Sequence, residues 1–99
     1  MEIAPLVESV VSAHSLPARA KMIHTDVALA VNACLAEPML LMSVLDNLYS
    51  NAVHYGAESG NIWIRSSLHG SMVYIDVMNT GTPIPEAEQD HDLRAFFPG

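Results

Sequence analysis

The spacing of hydrophobic residues changes within the first third of the chain. Between residues 3 and 14, apolar side chains recur every three or four positions, which predicts an amphipathic helix. The following residues, SLPARAK, break this spacing and contain a proline, so the helix is expected to end before them. Residues 22–36 then alternate between apolar and polar side chains, a pattern that predicts one or two β-strands. One face of this alternation carries Ile23, Thr25, Val27, Leu29 and Val31.

Residues 37–56 return to helical spacing and predict a second helix. Pro38 suits a first helical position because the missing N–H has no partner there, and Gly56 suits the position just past the last turn. The side chains expected to face the core are those of Leu41, Leu45, Leu48, Ala52 and Tyr55.

A predicted hairpin and a long loop complete the chain. Residues 61–67 and 72–78 each alternate with a period of two, and their connection LHGS contains Gly70, which can adopt a positive φ. Residues 79–99 are rich in proline, glycine and acidic side chains, so they are expected to form a loop that ends in the aromatic pair at 96–97. The order helix, strands, helix, hairpin and loop predicts an α+β two-layer sandwich, with helices on one face of a mixed β-sheet.

Composition and charge narrow the classes of partner. Eleven acidic residues against four basic ones give a formal net charge of −7. This charge argues against non-specific nucleic-acid binding, which needs basic side chains to neutralise phosphates, and against direct contact with an anionic membrane. The single cysteine, Cys34, allows no internal disulfide, and no uncharged apolar run approaches the roughly 20 residues of a membrane span. Because no signal-peptide pattern is present either, we expect a cytosolic chain with one modest core.

Two asparagines and a histidine share one face of the second predicted helix. Asn47, Asn51 and His54 lie at positions i, i+4 and i+7, next to the apolar stripe. Amide oxygens are hard ligands that suit Mg²⁺, whose remaining ligands are commonly water and phosphate oxygens. The same spacing also fits polar side chains on a helix surface that hydrogen-bond to a neighbouring loop, so spacing alone leaves both interpretations open.

Four stretches in chain order resemble a known family. LLMSVLDNLYSNAVHYG, GNIWIRSS, VYIDVMNTGTPIP and RAFFPG are similar to segments of the ATP-binding catalytic domain of bacterial sensor histidine kinases, whose superfamily includes gyrase B, the Hsp90 chaperones and MutL. The resemblance runs from about residue 3 to residue 99 and is strongest over residues 40–85. It implies one histidine-kinase-type ATP-binding domain over residues 1–99, with a Bergerat-type fold.

The first motif of this resemblance is the N box, whose usual form is N-x-x-x-N-A-x-K-Y/F. The resemblance implies that Asn51 coordinates the Mg²⁺ bridging the ATP phosphates, and that Asn47 helps to place the phosphates. Tyr55 would line the nucleotide pocket. His54 occupies the box's basic position, and Asn47 and His54 are the implied catalytic positions.

Two shorter motifs follow the N box. Residues 79–84, NTGTPI, resemble the first glycine box, D-x-G-x-G-I, and residues 96–97 resemble the phenylalanine box of the lid over the nucleotide. By this resemblance, Asn79 would contact the adenine amino group, Gly81 would let the backbone approach the base, and Ile84 would form an apolar wall. The implied ligands are ATP and Mg²⁺.

The implied reaction is transfer of the γ-phosphoryl group of ATP to a histidine on a separate helical dimerisation domain. A response regulator would be an indirect partner, and the chain would belong to the cytoplasmic part of a membrane-anchored sensor. Such catalysis consists mainly of positioning and electrostatic stabilisation.

Departures from the family pattern support a second hypothesis. The adenine-binding aspartate is replaced by Asn79, the second glycine by Pro83 and the basic N-box residue by His54. These changes weaken contacts to the base and the phosphates. The family's second glycine box, last helix and closing strands would follow residue 99, so we expect a fold that is incomplete at the C-terminus and a chain that is inactive alone. The second hypothesis is therefore a truncated or degenerate interaction module, which docks on a kinase helical domain or self-associates through an exposed sheet edge.

Overall fold

A computed structural model describes residues 1–81 and 92–98 of the chain. The elements in chain order are α1 (Ala4–Ala13), α2 (Ser15–Ala20), β1 (His24–Leu29), α3 (Pro38–Tyr55), β2 (Asn61–His69), β3 (Met72–Asn79) and β4 (Asp92–Pro98). The predicted first helix, second helix and hairpin are confirmed as α1, α3 and β2–β3. Within this part of the chain, no helix is long and apolar enough to cross a membrane.

The strands form one mixed sheet in the order β1-β2-β3-β4. β1 and β2 are parallel, because α3 crosses over the sheet between them, whereas β2–β3 and β3–β4 are antiparallel. The buried residues of α1 and α3 join those of β2, β3 and β4 in a single core cluster. The α+β two-layer sandwich with helices on one face of a mixed sheet is therefore confirmed.

The buried stripe of α3 is rotated slightly from the predicted one. Its buried residues are Leu41, Leu45, Tyr49, Ala52 and Val53. Leu48 and Tyr55, which we expected in the core, are only half-buried, and Tyr49 occupies the centre of the stripe. Burial of this tyrosine is possible because its hydroxyl lies 2.7 Å from Thr25 Oγ1, so the polar end is hydrogen-bonded.

Replacing Tyr49 by phenylalanine is expected to lower the free energy of unfolding by about 1 kcal/mol, because Thr25 loses its partner while the ring still packs. Urea denaturation measures the change. Tyr74→Phe, on the face of the sheet opposite the helices, is the matched control and should change stability less. Equal losses in the two variants would contradict the structural role of the Thr25–Tyr49 hydrogen bond.

The N-terminal third departs from prediction in one place. The segment SLPARAK was expected to interrupt the helix, but its first six residues form the short helix α2. Pro17 lies in the first turn of α2, where its missing N–H costs no hydrogen bond. The alternation over residues 22–36 gives the single strand β1. Val27 of that strand is 43% exposed, because it lines an open groove of about 460 Å³ that also contacts Val7 and Val11 of α1.

The C-terminal aromatic pair lies in a strand. The prediction of a loop is wrong for residues 92–98, which pair with β3 as β4. Phe97 is buried in the core, and Phe96 contacts the Tyr74 ring on the opposite face with ring centroids 4.7 Å apart. Burial of Phe97 and backbone pairing to β3 therefore place both residues in the sheet, and their implied role in a lid stays a prediction.

Candidate functional site

The C-terminal end of α3 meets the segment that follows β3. Gly56 and Gly81 form an antiparallel bridge, and the Ala57 amide donates to Thr80 O at 2.9 Å. Gly81 has φ +142°, and a Cβ there would lie 2.4 Å from Tyr55 O and 2.6 Å from the Ala57 nitrogen. A glycine is therefore required for this approach of the two backbones, which brings Tyr55 and Gly81 together.

Thr80 fixes the same junction to the sheet, a role that the sequence did not indicate. Its hydroxyl oxygen accepts from the Asn61 amide at 2.9 Å, and its own amide donates to Asn61 O at 3.1 Å. A Cβ on Gly60 would lie 2.4 Å from Thr80 Oγ1, so the turn from α3 to β2 packs closely on this hydroxyl. The end of β3 and the start of β2 consequently hold the junction on one side.

Asn79 places a buried side-chain amide at the end of β3, next to this junction. It is the last residue of β3, lies on the helix-facing side of the sheet and is only 5% exposed. Its Nδ2 donates to Thr80 O at 3.3 Å, and Oδ1 has no hydrogen-bond partner among residues 1–81 and 92–98. Buried acceptors are normally paired, so this oxygen suits an N–H donor from a ligand.

The other motif residues lie along α3. Asn47, Asn51 and His54 are exposed, and Tyr55 is half-buried with its ring in edge contact with His54, the centroids being 4.8 Å apart. Given a rise of about 1.5 Å per residue, Asn51 lies about 6 Å and Asn47 about 12 Å along the helix axis from Tyr55. The two asparagines are therefore exposed to solvent and lie progressively farther from the junction along α3. Ile84 and Pro83 lie outside the described residues.

Lys21 contacts the end of α3, although no motif pointed to it. Its Nζ donates to Val53 O at 2.9 Å, to His54 O at 2.7 Å and to Gly56 O at 3.3 Å. The sequence carries no local signal for this arrangement, because Lys21 and Val53 are distant in the chain and meet only through the fold.

Outside this junction, the described residues offer neither a metal-binding group of His, Cys, Asp or Glu side chains nor an exposed cysteine. In the described part of the chain, no group of three or more His, Cys, Asp or Glu side chains could hold a metal ion. Burial raises the pKa of the Cys34 thiol, so the reactive thiolate is disfavoured. The junction of α3 and β3, with the exposed amides beside it, is therefore the candidate site.

Comparison with known proteins identifies a family that this chain matches in sequence. A family model described as histidine kinase-, DNA gyrase B-, and HSP90-like ATPase matches residues 36–99. The sensor histidine kinase GlrK of Escherichia coli K12 is 77% identical over 99 residues, which are 100% of this chain and 21% of that protein.

Solved structures of histidine kinases share the fold. The catalytic domain of the histidine kinase ThkA superposes with a TM-score of 0.75 at 27% identity, covering 87% of this chain and 61% of that one. ThkA in complex with the response regulator protein TrrA gives a TM-score of 0.73 at 27% identity, covering 87% and 26%. Full-length ShkA in complex with AMPPNP gives 0.75 at 27% identity, covering 88% and 19%.

Proposed function

Because this chain belongs to the histidine kinase-, DNA gyrase B-, and HSP90-like ATPase family and has the catalytic-domain fold of sensor histidine kinases, we propose that it binds Mg·ATP at the junction of α3 and β3. The observation that carries this proposal is the buried Asn79 oxygen without a partner in the described residues. The chain spans 21% of GlrK, so the activity of a whole kinase is part of the proposal.

Asn79 gives the proposed site a preference for adenine. Its Nδ2 is used by Thr80 O, which orients Oδ1 as an acceptor. The exocyclic amine of adenine donates to such an oxygen, whereas guanine presents a carbonyl oxygen at the same ring position and would repel it. Gly81 has no side chain and lies directly against the end of α3, so the backbone at this position can approach the base closely. ATP and ADP are therefore the proposed ligands, and this orientation of the Asn79 amide disfavours GTP.

The exposed amides of α3 fit the phosphate end of the nucleotide. Asn51 presents a hard oxygen on a rigid helix, which suits Mg²⁺ with phosphate and water as its other ligands. When bound, the ion neutralises phosphate charge. We assign Asn51 to the metal, and we assign Asn47 and His54 to placing the phosphates for transfer. Tyr55 lines the pocket at the helix end, and Ile84 is its proposed apolar wall.

The acceptor of the γ-phosphoryl group is proposed to be a histidine on the helical dimerisation domain of the parent kinase. The domain over residues 1–99 would hold ATP and orient its phosphates, and the attacking imidazole would come from the partner domain. A response regulator would take the phosphoryl group afterwards, and the whole sensor would be membrane-anchored with this domain in the cytoplasm. The similarity to ThkA in complex with the response regulator protein TrrA supports the assignment of a response regulator, and the similarity to ShkA in complex with AMPPNP supports the assignment of a nucleotide.

Nuclear magnetic resonance of the ¹⁵N-labelled chain tests the proposed site. Addition of Mg·ADP should shift the amide signals of residues 51–57 and of Gly81, and should leave the turn at residues 69–71 unchanged. If nucleotide moves no signals, while raising the protein concentration broadens those of β1 or β4 at the two outer edges of the sheet, the interaction-module hypothesis replaces this proposal.

Restoring a carboxylate at Asn79 is expected to tighten ADP binding about three- to tenfold, because a charged acceptor forms the stronger hydrogen bond to the adenine amine. Isothermal calorimetry of Asn79→Asp measures the change. Asn61→Asp adds the same charge at the neighbouring end of β2 and should leave the affinity within about twofold. Unchanged or weaker binding by Asn79→Asp would place the base away from this side chain.

A further inference from the structure

Lys21 closes the C-terminal end of α3. It is the single lysine of the sequence, and its ammonium group carries three donors. These reach three carbonyl oxygens, those of Val53, His54 and Gly56. Every donor of the side chain is thus directed at the backbone of the helix end, which leaves the ammonium unavailable as a direct phosphate ligand.

The helix end needs such a partner. The last carbonyl groups of an α-helix have no partners within the helix, and a left-handed glycine commonly closes it. Gly56 instead has φ −68° and ψ 147°, an extended conformation that lets it pair with Gly81. The extended Gly56 therefore forgoes the usual closure. Val53 O accepts from the Gly56 amide at 3.4 Å. The Lys21 ammonium supplies a second donor to this oxygen as well as donors to His54 O and Gly56 O. The ammonium also places a positive charge at the negative end of the helix dipole.

The backbone of Lys21 contacts the same connection. Its carbonyl accepts from the Ser59 amide at 2.7 Å, and Gly60 O accepts from the His24 amide at 3.0 Å. Lys21 therefore binds the connection from α3 to β2 both at its beginning, through the side chain, and near its end, through the backbone. That connection includes Ala57, whose amide donates to Thr80 O beside Gly81.

We propose that Lys21 is a positioning residue of the nucleotide site, which holds Tyr55, Gly56 and Gly81 in the arrangement that receives the base. It acts through the backbone of α3 and does not contact the nucleotide. This inference rests on the proposed function, since it assigns a nucleotide to the junction. It also makes the segment between α2 and β1 part of the site, although that segment carries no motif residue.

Lys21→Met tests the inference because it keeps the length of the side chain and removes the charge and all donors. ADP affinity should fall about five- to tenfold in Lys21→Met, and Lys21→Arg, which keeps the charge and donors, should recover most of the loss. The matched control is Arg19→Met, which removes a positive charge from the exposed end of α2 and should change the affinity less than about twofold.

Amide hydrogen exchange without nucleotide separates this inference from the proposed function. The Gly56 and Ala57 amides should exchange about tenfold faster in Lys21→Met, whereas the Ile64 amide in the sheet should keep its rate. If the parent chain binds no ADP, the proposed function and the positioning role fail, and exchange still decides whether Lys21 holds the helix end. Unchanged exchange, or unchanged ADP affinity despite faster exchange, overturns the positioning role. A uniform increase in exchange, with no recovery in Lys21→Arg, identifies a role in global stability and also overturns it.

Discussion

Gly81→Ala should lower the free energy of unfolding by about 3 kcal/mol and weaken ADP binding at least about tenfold. The backbone at Gly81 has φ +142°, a conformation that residues other than glycine rarely adopt, and the new Cβ would lie 2.4 Å from Tyr55 O. Tyr55 O is a backbone atom and the position of the Cβ is fixed by the backbone of residue 81, so relief requires the end of α3 to separate from the segment after β3. Urea denaturation and calorimetry measure the two effects.

Gly70→Ala is the matched control for this substitution. Gly70 also has a positive φ, +63°, but a Cβ there would meet no atom within 4 Å. Its replacement should cost about 1 kcal/mol from backbone conformation alone and leave ADP affinity unchanged. If both glycine variants lost equal stability, close packing of Gly81 against Tyr55 would not contribute to stability. That result would contradict the close junction as a feature of the site.

Asn51→Ala should weaken Mg·ATP binding about 100-fold, because the variant removes the proposed protein ligand of the metal. Binding of ADP without Mg²⁺ should change less than about threefold, since the base contacts remain. The fold should be preserved, because Asn51 is exposed and alanine is the better helix former. Calorimetry with and without Mg²⁺ measures the contrast.

Ser43→Ala, an exposed position nearer the start of α3, is the matched control for the asparagine. It should affect neither nucleotide affinity nor its dependence on Mg²⁺. A variant Asn51→Ala that bound Mg·ATP as tightly as the parent would remove the metal role from this residue. An equal loss with and without Mg²⁺ would instead assign Asn51 to the nucleotide.

Local patterns in the sequence predicted the elements whose own residues determine them. α3 begins at Pro38 and ends before Gly56 as expected, because proline at the start and a residue leaving the helix at the end act locally. The β2–β3 hairpin follows from period-2 alternation around Gly70, which has the positive φ expected of it. By contrast, β4 was missed, since its pairing with β3 depends on a partner distant in the sequence and acidic residues precede it.

The sequence was sufficient to name candidate site residues from motifs, but it did not predict how these residues are arranged in space. The N-box and glycine-box residues could be named from the sequence, but the burial of Asn79 depends on the register of β3 against β2. The contacts of Lys21 with α3 join residues more than 30 positions apart, and nothing in the local sequence marks them. Thr80 was missed for a related reason, because its importance comes from the two backbones that it joins.

Calorimetric titration of the chain with ADP and ATP, with and without Mg²⁺, tests the central claim most directly. We predict saturable one-site binding of both nucleotides and tighter binding of ATP when Mg²⁺ is present. The Asn79 amide would then still receive adenine, and the asparagines of α3 would still hold the metal and phosphates. Absence of binding up to millimolar nucleotide would contradict the account, and any function of this chain would then come from its surfaces.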